Sequence, residues 1–192
     1  MHSFPHLFLA SKSPRRQQLL KDSGFNYTFV DIDADEVFPN HLKNEEVCMY
    51  LAQLKANHFN GEFGDSILVT ADTIVVINNE VINKPANAEE AFQMLSKLNG
   101  NMHEVYTGVC LKTANKERVF YQKSEVYFYP LSDNEIKYYI ENYKPFDKAG
   151  AYGVQDWMGY VGVEKINGCF YNVMGFPLSK FYREIQNFIS NP

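Results

Sequence analysis

Asp72 stands in the stretch LVTADTIVVI, with Ile67, Leu68, Val69, Ile74, Val75 and Val76 around it. A carboxylate in so apolar a run must be paired, hydrogen-bonded or bound to metal, because burying it alone is costly. It either ends a strand and satisfies backbone donors, with Thr70 and Thr73 helping, or is delivered by the strand as a general base or a metal-binding oxygen. LASKSPRRQQLL, near the start of the chain, holds the second oddity. Ser13 suits the N-cap of a helix and Pro14 its first position. Arg15 and Arg16 then occupy the first turn, where the helix dipole favours acids and disfavours cations. A bound anion would relieve that repulsion: backbone N–H groups at helix starts bind phosphate, Arg donates to it in two-pronged fashion, and the Ser11 and Ser13 hydroxyls stand alongside. A capped surface helix with solvated arginines fits the same residues. The stretch is not a P-loop, since no Gly-x-x-x-x-Gly-Lys precedes the helix.

Further charges accompany these. Lys55 and Lys84, the latter followed by Pro85, supply cations. Glu36 closes an acidic run with Asp31, Asp33 and Asp35, and suits a hard cation such as Mg²⁺ or a solvated loop equally well. The segment PFDKAGAYGVQDW, residues 145–157, is more particular than a generic connector. Gly150 and Gly153 let backbone approach a ligand closely, Lys148 adds charge, and the Gln155 amide both donates and accepts. An ordinary glycine-bearing surface loop is the plainer reading.

The elements that must position these residues follow from periodicity and punctuation. Residues 7–9 form a strand, 13–23 a helix closed by Gly24, and 27–32 a second strand. Residues 44–59 form a helix with Val47, Leu51, Leu54 and His58 as its apolar stripe. SILVTADTIVVINNEVI is continuous enough for a strand buried on both faces, turning at Asn78-Asn79 into a hairpin. Asn87 with Glu90 caps the helix AEEAFQMLSKLNG, which Gly100 closes. Residues 103–113 and 118–129 alternate as two antiparallel strands. Ser132 with Glu135 caps a helix ending near Tyr143, before Pro145. Asn167-Gly168 predicts a hairpin, and residues 178–189 a final amphipathic helix. The whole is an α/β protein, with helices flanking a mixed sheet.

Composition narrows the function classes. The 192 residues suit one domain or two closely joined lobes, and 45% are hydrophobic against 21% charged. A formal net charge of −5 argues against sequence-blind nucleic-acid binding, so any anion must be held by a local cluster. Cys48, Cys110 and Cys169 are odd in number and lack metal or disulfide spacing, which fits a reducing cytosol. His2 and His6 stand four apart, but Pro5 between them speaks against a helical metal pair. No apolar stretch approaches a membrane span, and MHSFPHLF lacks the features of a signal peptide, so the expectation is a cytoplasmic protein without membrane partners.

Taken together, LASKSPRRQQLL, the Lys55 helix, TADTIVVINNEVINKP, PFDKAGAYGVQ and KINGCFYNVMGFPL resemble the Maf family of nucleoside triphosphate pyrophosphatases, also known as septum formation protein Maf-like, over nearly the whole chain. The resemblance implies a single Maf domain over residues 1–192, of the Maf/Ham1-like (ITPase-like) fold: an elongated mixed sheet flanked by helices, in two lobes with a central cleft, often as a homodimer. It implies hydrolysis of a nucleoside triphosphate to the monophosphate and pyrophosphate with a divalent metal, Mg²⁺ or Mn²⁺. In that family the Asp of A-D-T is the proton acceptor, here Asp72. Arg15, Thr73 and Gln155 mark the branch suited to dTTP and UTP, with room for modified pyrimidine triphosphates and a house-cleaning role. Ser11, Ser13, Arg16, Lys55 and Lys84 fall on phosphate contacts, and Lys148 joins them. Asp72 and Glu36 are the metal candidates, Asp33 and Asp35 competing with Glu36, and whether Asp72 acts as base, ligand or both stays open. Tyr152 and Trp157 are candidate walls for the base. Phe176 departs from the family, where Leu more often precedes the Pro. The rival readings are a purine or m⁷GTP pyrophosphatase of the same fold and a nucleotide-binding regulator of septum formation.

Overall fold

Three parallel strands organise the N-terminal part of the chain. In the computed structural model, which describes residues 4–190, strand β1 (Leu7–Ala10) pairs on one side with β2 (Tyr27–Phe29) and on the other with β3 (Ile67–Ile77). His2, half of the metal pair the sequence speaks against, lies outside the described residues. Helix α1 (Pro14–Asp22) connects β1 to β2, and helix α2 (Glu45–Asn57) connects β2 to β3. The strands β5 (Met102–Lys112), β6 (Glu117–Phe128) and β7 (Val163–Asn167) continue the sheet, whose order is β2-β1-β3-β5-β6-β7. A short strand β4 (Glu80–Ile82) pairs off this path with β3. Parallel crossovers and antiparallel pairs thus share one sheet, as read from the sequence. No helix among the described residues is long and apolar enough to cross a membrane.

The chain packs as two units. Among the described residues, the first takes in the chain up to Asp72, residues 107–122 and everything from Gly175 onward; the second holds residues 73–106 and 123–174.

In the first unit Leu9 stands opposite Phe29 on one side and Val69 on the other, and Ala10 opposite Thr70. The carboxyl end of β1 is therefore a switch point between two parallel neighbours, the place where open α/β sheets bind ligands. Pro14 takes the first helical position of α1 as expected, but Ser13 makes no side-chain capping bond. Its own N–H is directed at Ser11 Oγ, 3.4 Å away, so Ser11 rather than Ser13 organises the turn. Gly24, at φ +78°, ends α1 in the left-handed region that glycine adopts without strain. Strand β2 is shorter than the expected 27–32, because the ladder ends where the Val30 N–H donates to Leu9 O (3.0 Å) and exposed Asp31 follows.

The apolar stripe of α2 also differs from expectation. Its buried residues are Val47, Cys48, Leu51, Ala52 and Ala56, while His58 is exposed. The helix is turned toward its small residues because it lies directly on the backbone of β5: a Cβ on Gly108 would meet Cys48 O at 2.3 Å. Thr70 Oγ1 also donates to Ala52 O, at 2.5 Å. This rotation brings Lys55 to the sheet side. Helix α7 (Leu178–Ser190) adds Phe181, whose ring meets those of Phe25 and Phe176 at 5.2 and 4.9 Å between centroids.

In the second unit Asn78 and Asn79, both at positive φ, turn β3 into β4 with Val76 opposite Val81. Helix α3 (Ala88–Leu98) starts with the Asn87 side chain accepting the Glu90 N–H at 2.9 Å. Helix α4 (Asp133–Tyr143) carries the full Ser132–Glu135 capping box. Their apolar faces close over a core that includes Val75, Leu95, Val126, Phe128, Tyr139 and Tyr152. Two short helices that sequence reading missed, α5 (Trp157–Val161) and α6 (Phe170–Val173), flank β7. The Asn167-Gly168 hairpin does not form. Strand β7 ends there and leads into α6, and Gly168 serves close approach instead. A Cβ on it would meet Ser124 Oγ at 2.7 Å, and that hydroxyl accepts the Cys169 N–H (3.0 Å) and donates to Cys169 O (3.1 Å).

Candidate active site

Within the first unit the turn after β1, the start of α1, the middle of β3 and the inner side of α2 bring several of the expected residues together. Asp72, only 7% exposed, has Lys55 Nζ 2.7 Å from its Oδ1. The same ammonium lies 2.8 Å from Glu36 Oε1, so one cation bridges a buried carboxylate and a more exposed one. The sequence named Lys55 as a phosphate contact and Asp72 with Glu36 as metal ligands; the fold makes the three one ionic cluster. Asp33 and Asp35, the competitors of Glu36, are exposed and make no ion pair with Lys55.

Arg16 frames that cluster. Its Nε donates to Gly175 O (2.8 Å), and its Nη1 donates to Ala71 O (2.8 Å) and Ser11 Oγ (3.2 Å). The guanidinium thereby ties the β1 turn to the residue preceding Asp72. Burial draws its pKa below the ordinary value, opposed by the charges of Asp72 and Glu36 and reinforced by neighbouring Arg15. Gln17 adds a bond from Nε2 to Ser11 O at 3.1 Å, fixing the turn further. Arg15 and Ser13 are half-buried in this first turn.

The donor set fits a hard divalent cation. Carboxylate oxygens of Asp72 and Glu36 already share one positive neighbour, and both are the oxygen ligands such ions prefer. Among the described residues no group of three or more His, Cys, Asp or Glu side chains is placed to hold a metal ion. Thiol chemistry has no place here: burial pushes Cys48 well above its ordinary pKa and Cys110 up to about 12, leaving both protonated and unreactive.

Thr73, Lys84, Lys148 and Gln155 belong to the second unit. Thr73 is half-buried and Lys84 exposed. The segment at residues 145–157 is built of two tight helical turns, Pro145–Asp147 and Ala149–Ala151, with Gly150 at φ +70° packed against Val75. Lys148, expected to meet phosphate, pairs with Asp147 at 2.8 Å and lies 3.6 Å from Asp156 Oδ2. Gln155 Nε2 donates to Asp156 Oδ1 at 3.0 Å, and Gln155 Oε1 is buried with no hydrogen-bond partner among the described residues. Tyr152 is held by a 2.7 Å hydrogen bond to His103 Nε2 and by its ring contact with Phe128. It is part of the core, 5% exposed, which speaks for anchoring the loop rather than forming an open wall.

A family model for Maf-like protein matches residues 6–188. The chain belongs to the Maf family. Among its relatives, a dTTP/UTP pyrophosphatase of Cytophaga hutchinsonii is 53% identical over 180 residues, covering 94% of this chain and 83% of the relative. One of Flavobacterium johnsoniae is 47% identical over 184 residues, covering 95% of each. Among solved structures, the Ham1 protein of Staphylococcus aureus is similar with a TM-score of 0.41 and 13% identity, covering 64% of this chain and 71% of that one.

This Maf chain also holds partners that sequence reading passed over. Asp156 meets the Gln155 amide and Tyr139 in turn meets Asp156, yet Asp156 looks in sequence like one more loop acid and Tyr139 like helix core. Only the spacing Gln155-Asp156, an amide beside a carboxylate, was available as a signal.

Proposed function

We propose that the chain hydrolyses dTTP and UTP to the nucleoside monophosphate and pyrophosphate. The observation that carries this reading is Asp72, 7% exposed within a buried strand and met by Lys55 at 2.7 Å. A buried carboxylate fixed by an ammonium, with the Arg16 guanidinium nearby, is placed to act on a reacting group. Water attacks the α-phosphorus, Asp72 accepts its proton, and the bond from that phosphorus to the bridging oxygen breaks, so that pyrophosphate leaves. Lys55, shared with Glu36, holds the Asp72 carboxylate in one orientation. Arg16, fixed by three backbone and hydroxyl acceptors, keeps the Ser11 turn in register with β3.

The triphosphate charge falls to Ser11, Ser13, Arg15, Arg16, Lys55, Lys84 and Lys148 in this reading. Phosphoryl transfer depends mainly on such positioning and electrostatic support. Asp72 and Glu36 would hold a divalent cation, Mg²⁺ or Mn²⁺, which when bound supplies further positive charge for the phosphates.

Base choice falls to Gln155 with Thr73 and Arg15. The buried Gln155 Oε1 needs an N–H donor, which uracil and thymine carry at N3. Both bases satisfy it, since they differ only at the 5-position; the relatives' name fits that pair. Residues 1–192 act as one Maf domain in this reading, as a homodimer in a reducing cytoplasm, which the free Cys48, Cys110 and Cys169 suit. The net charge of −5 supports the absence of a nucleic-acid partner.

The test is pyrophosphate release from dTTP, UTP, ITP and m⁷GTP with Mg²⁺ or Mn²⁺ present. Turnover of dTTP and UTP well above that of the two purines is expected. A preference for either purine, or binding of nucleotide without turnover, would overturn the reading.

A further inference from the structure

We infer that Asp156 sets base selectivity by fixing which way the Gln155 amide faces; this rests on the reading of the chain as a hydrolase of uracil and thymine nucleotides. A carboxylate only accepts hydrogen bonds, so the 3.0 Å contact between Asp156 Oδ1 and Gln155 requires the NH₂ end of the amide to face Asp156. The carbonyl end, Oε1, is then committed to the other direction, where it is buried and unpaired among the described residues. Asp156 is itself held in place. Tyr139 donates its hydroxyl proton to Asp156 Oδ2 (3.2 Å) and accepts the Gly153 N–H (3.0 Å), while Lys148 Nζ stands 3.6 Å from the same oxygen. The loop is compact around this arrangement, since a Cβ on Gly153 would come within 2.4 Å of Asp156 Oδ2 and 2.7 Å of Gln155 Nε2.

The selectivity follows from the polarity of one atom. An acceptor at Oε1 rewards a ring N–H, as in the imides uracil and thymine, and repels cytosine, whose N3 is itself an acceptor. A buried polar group left unpaired by the wrong base discriminates strongly. With Asn at position 156, the neighbouring amide can either accept or donate, so Gln155 is free to turn and present its NH₂ to the base. Asp156 is thus a positioning residue for specificity, acting through Gln155.

The experiment compares kcat/KM for UTP and CTP, with Mg²⁺ present, in the wild-type chain and in Asp156→Asn. The wild type should prefer UTP by roughly 10²-fold or more, and Asp156→Asn should bring the ratio to within about tenfold, with CTP turnover rising as UTP turnover falls. A merely structural role would lower both rates and leave the ratio unchanged, and that result overturns the inference. Should Asp156→Asn fail to fold, Asp156→Ser, whose hydroxyl also donates and accepts, serves the same comparison with the same two outcomes. A wild type that hydrolyses neither nucleotide would overturn the functional reading itself; a selective wild type beside an equally selective variant overturns this inference alone.

Discussion

Lys55 Nζ lies 2.7 Å from Asp72 Oδ1 and 2.8 Å from Glu36 Oε1, so one ammonium on α2 is shared between the carboxylate at the centre of β3 and that of Glu36. The contact depends on the helix lying close to the sheet and on its being turned so that position 55 faces inward.

Removing one partner of a buried ion pair leaves the other uncompensated. Lys55→Met should therefore destabilise the fold by about 2–4 kcal/mol. In an Asp72→Asn background the same change should cost at least about 1 kcal/mol less, because the buried charge it strands is gone. Urea titrations of the four proteins measure this, and equal costs in both backgrounds would contradict the pairing.

Gly108 allows α2 to rest on β5. An alanine there would place its Cβ 2.3 Å from Cys48 O and 2.6 Å from Met49 N, both backbone atoms that can yield only by moving the helix. Gly108→Ala should cost about 1–3 kcal/mol and lower turnover as Lys55 is displaced with α2. Thermal melting and the pyrophosphate assay on the same preparation check both halves.

His103 gives the fold an acid sensitivity. Burial between the rings of Phe128 and Tyr152 lowers its pKa from the ordinary 6.5 to about 3. The folded state therefore keeps the imidazole neutral while the unfolded chain takes up a proton below 6.5. This contribution is complete above that pH and is lost as pH falls from 6.5 toward 3, at up to about 1.4 kcal/mol per pH unit. His103→Phe should show a shallower loss of stability on acidification than the wild type, measured by denaturant unfolding across about pH 7 to about pH 4.5. Parallel curves would contradict the assignment.

Much of this molecule was legible because its signals are local. Asn78-Asn79, Asn87 with Glu90 and Ser132 with Glu135 state their turn or cap within four residues, and each formed as read. Asp72 was conspicuous because a charge inside a β-branched run demands a partner. What sequence could not supply is the side from which a neighbour approaches. The buried side of α2 is hidden in the sequence because Cys48, Ala52 and Ala56 are small, and the close approach that turns it inward is at Gly108, 60 residues from Cys48 in the chain. Gly168 reads in sequence as a turn, whereas the fold uses it for proximity to Ser124; Ser13 reads as a cap, whereas Ser11 holds the turn. Arg16 reads in sequence as a ligand contact; that it clasps Ala71 and Gly175 is a tertiary fact.

The central claim is that Asp72 accepts the proton when water cleaves the triphosphate between its first and second phosphates. The most direct measurement follows the products of UTP, with Mg²⁺ present, for the wild type and for Asp72→Asn proteins shown by circular dichroism to be folded. UMP and pyrophosphate in equal amounts are expected from the wild type, and a rate lower by about 10²–10⁴-fold from the variant. UDP with inorganic phosphate as products, or a folded Asp72→Asn protein with wild-type turnover, would contradict it.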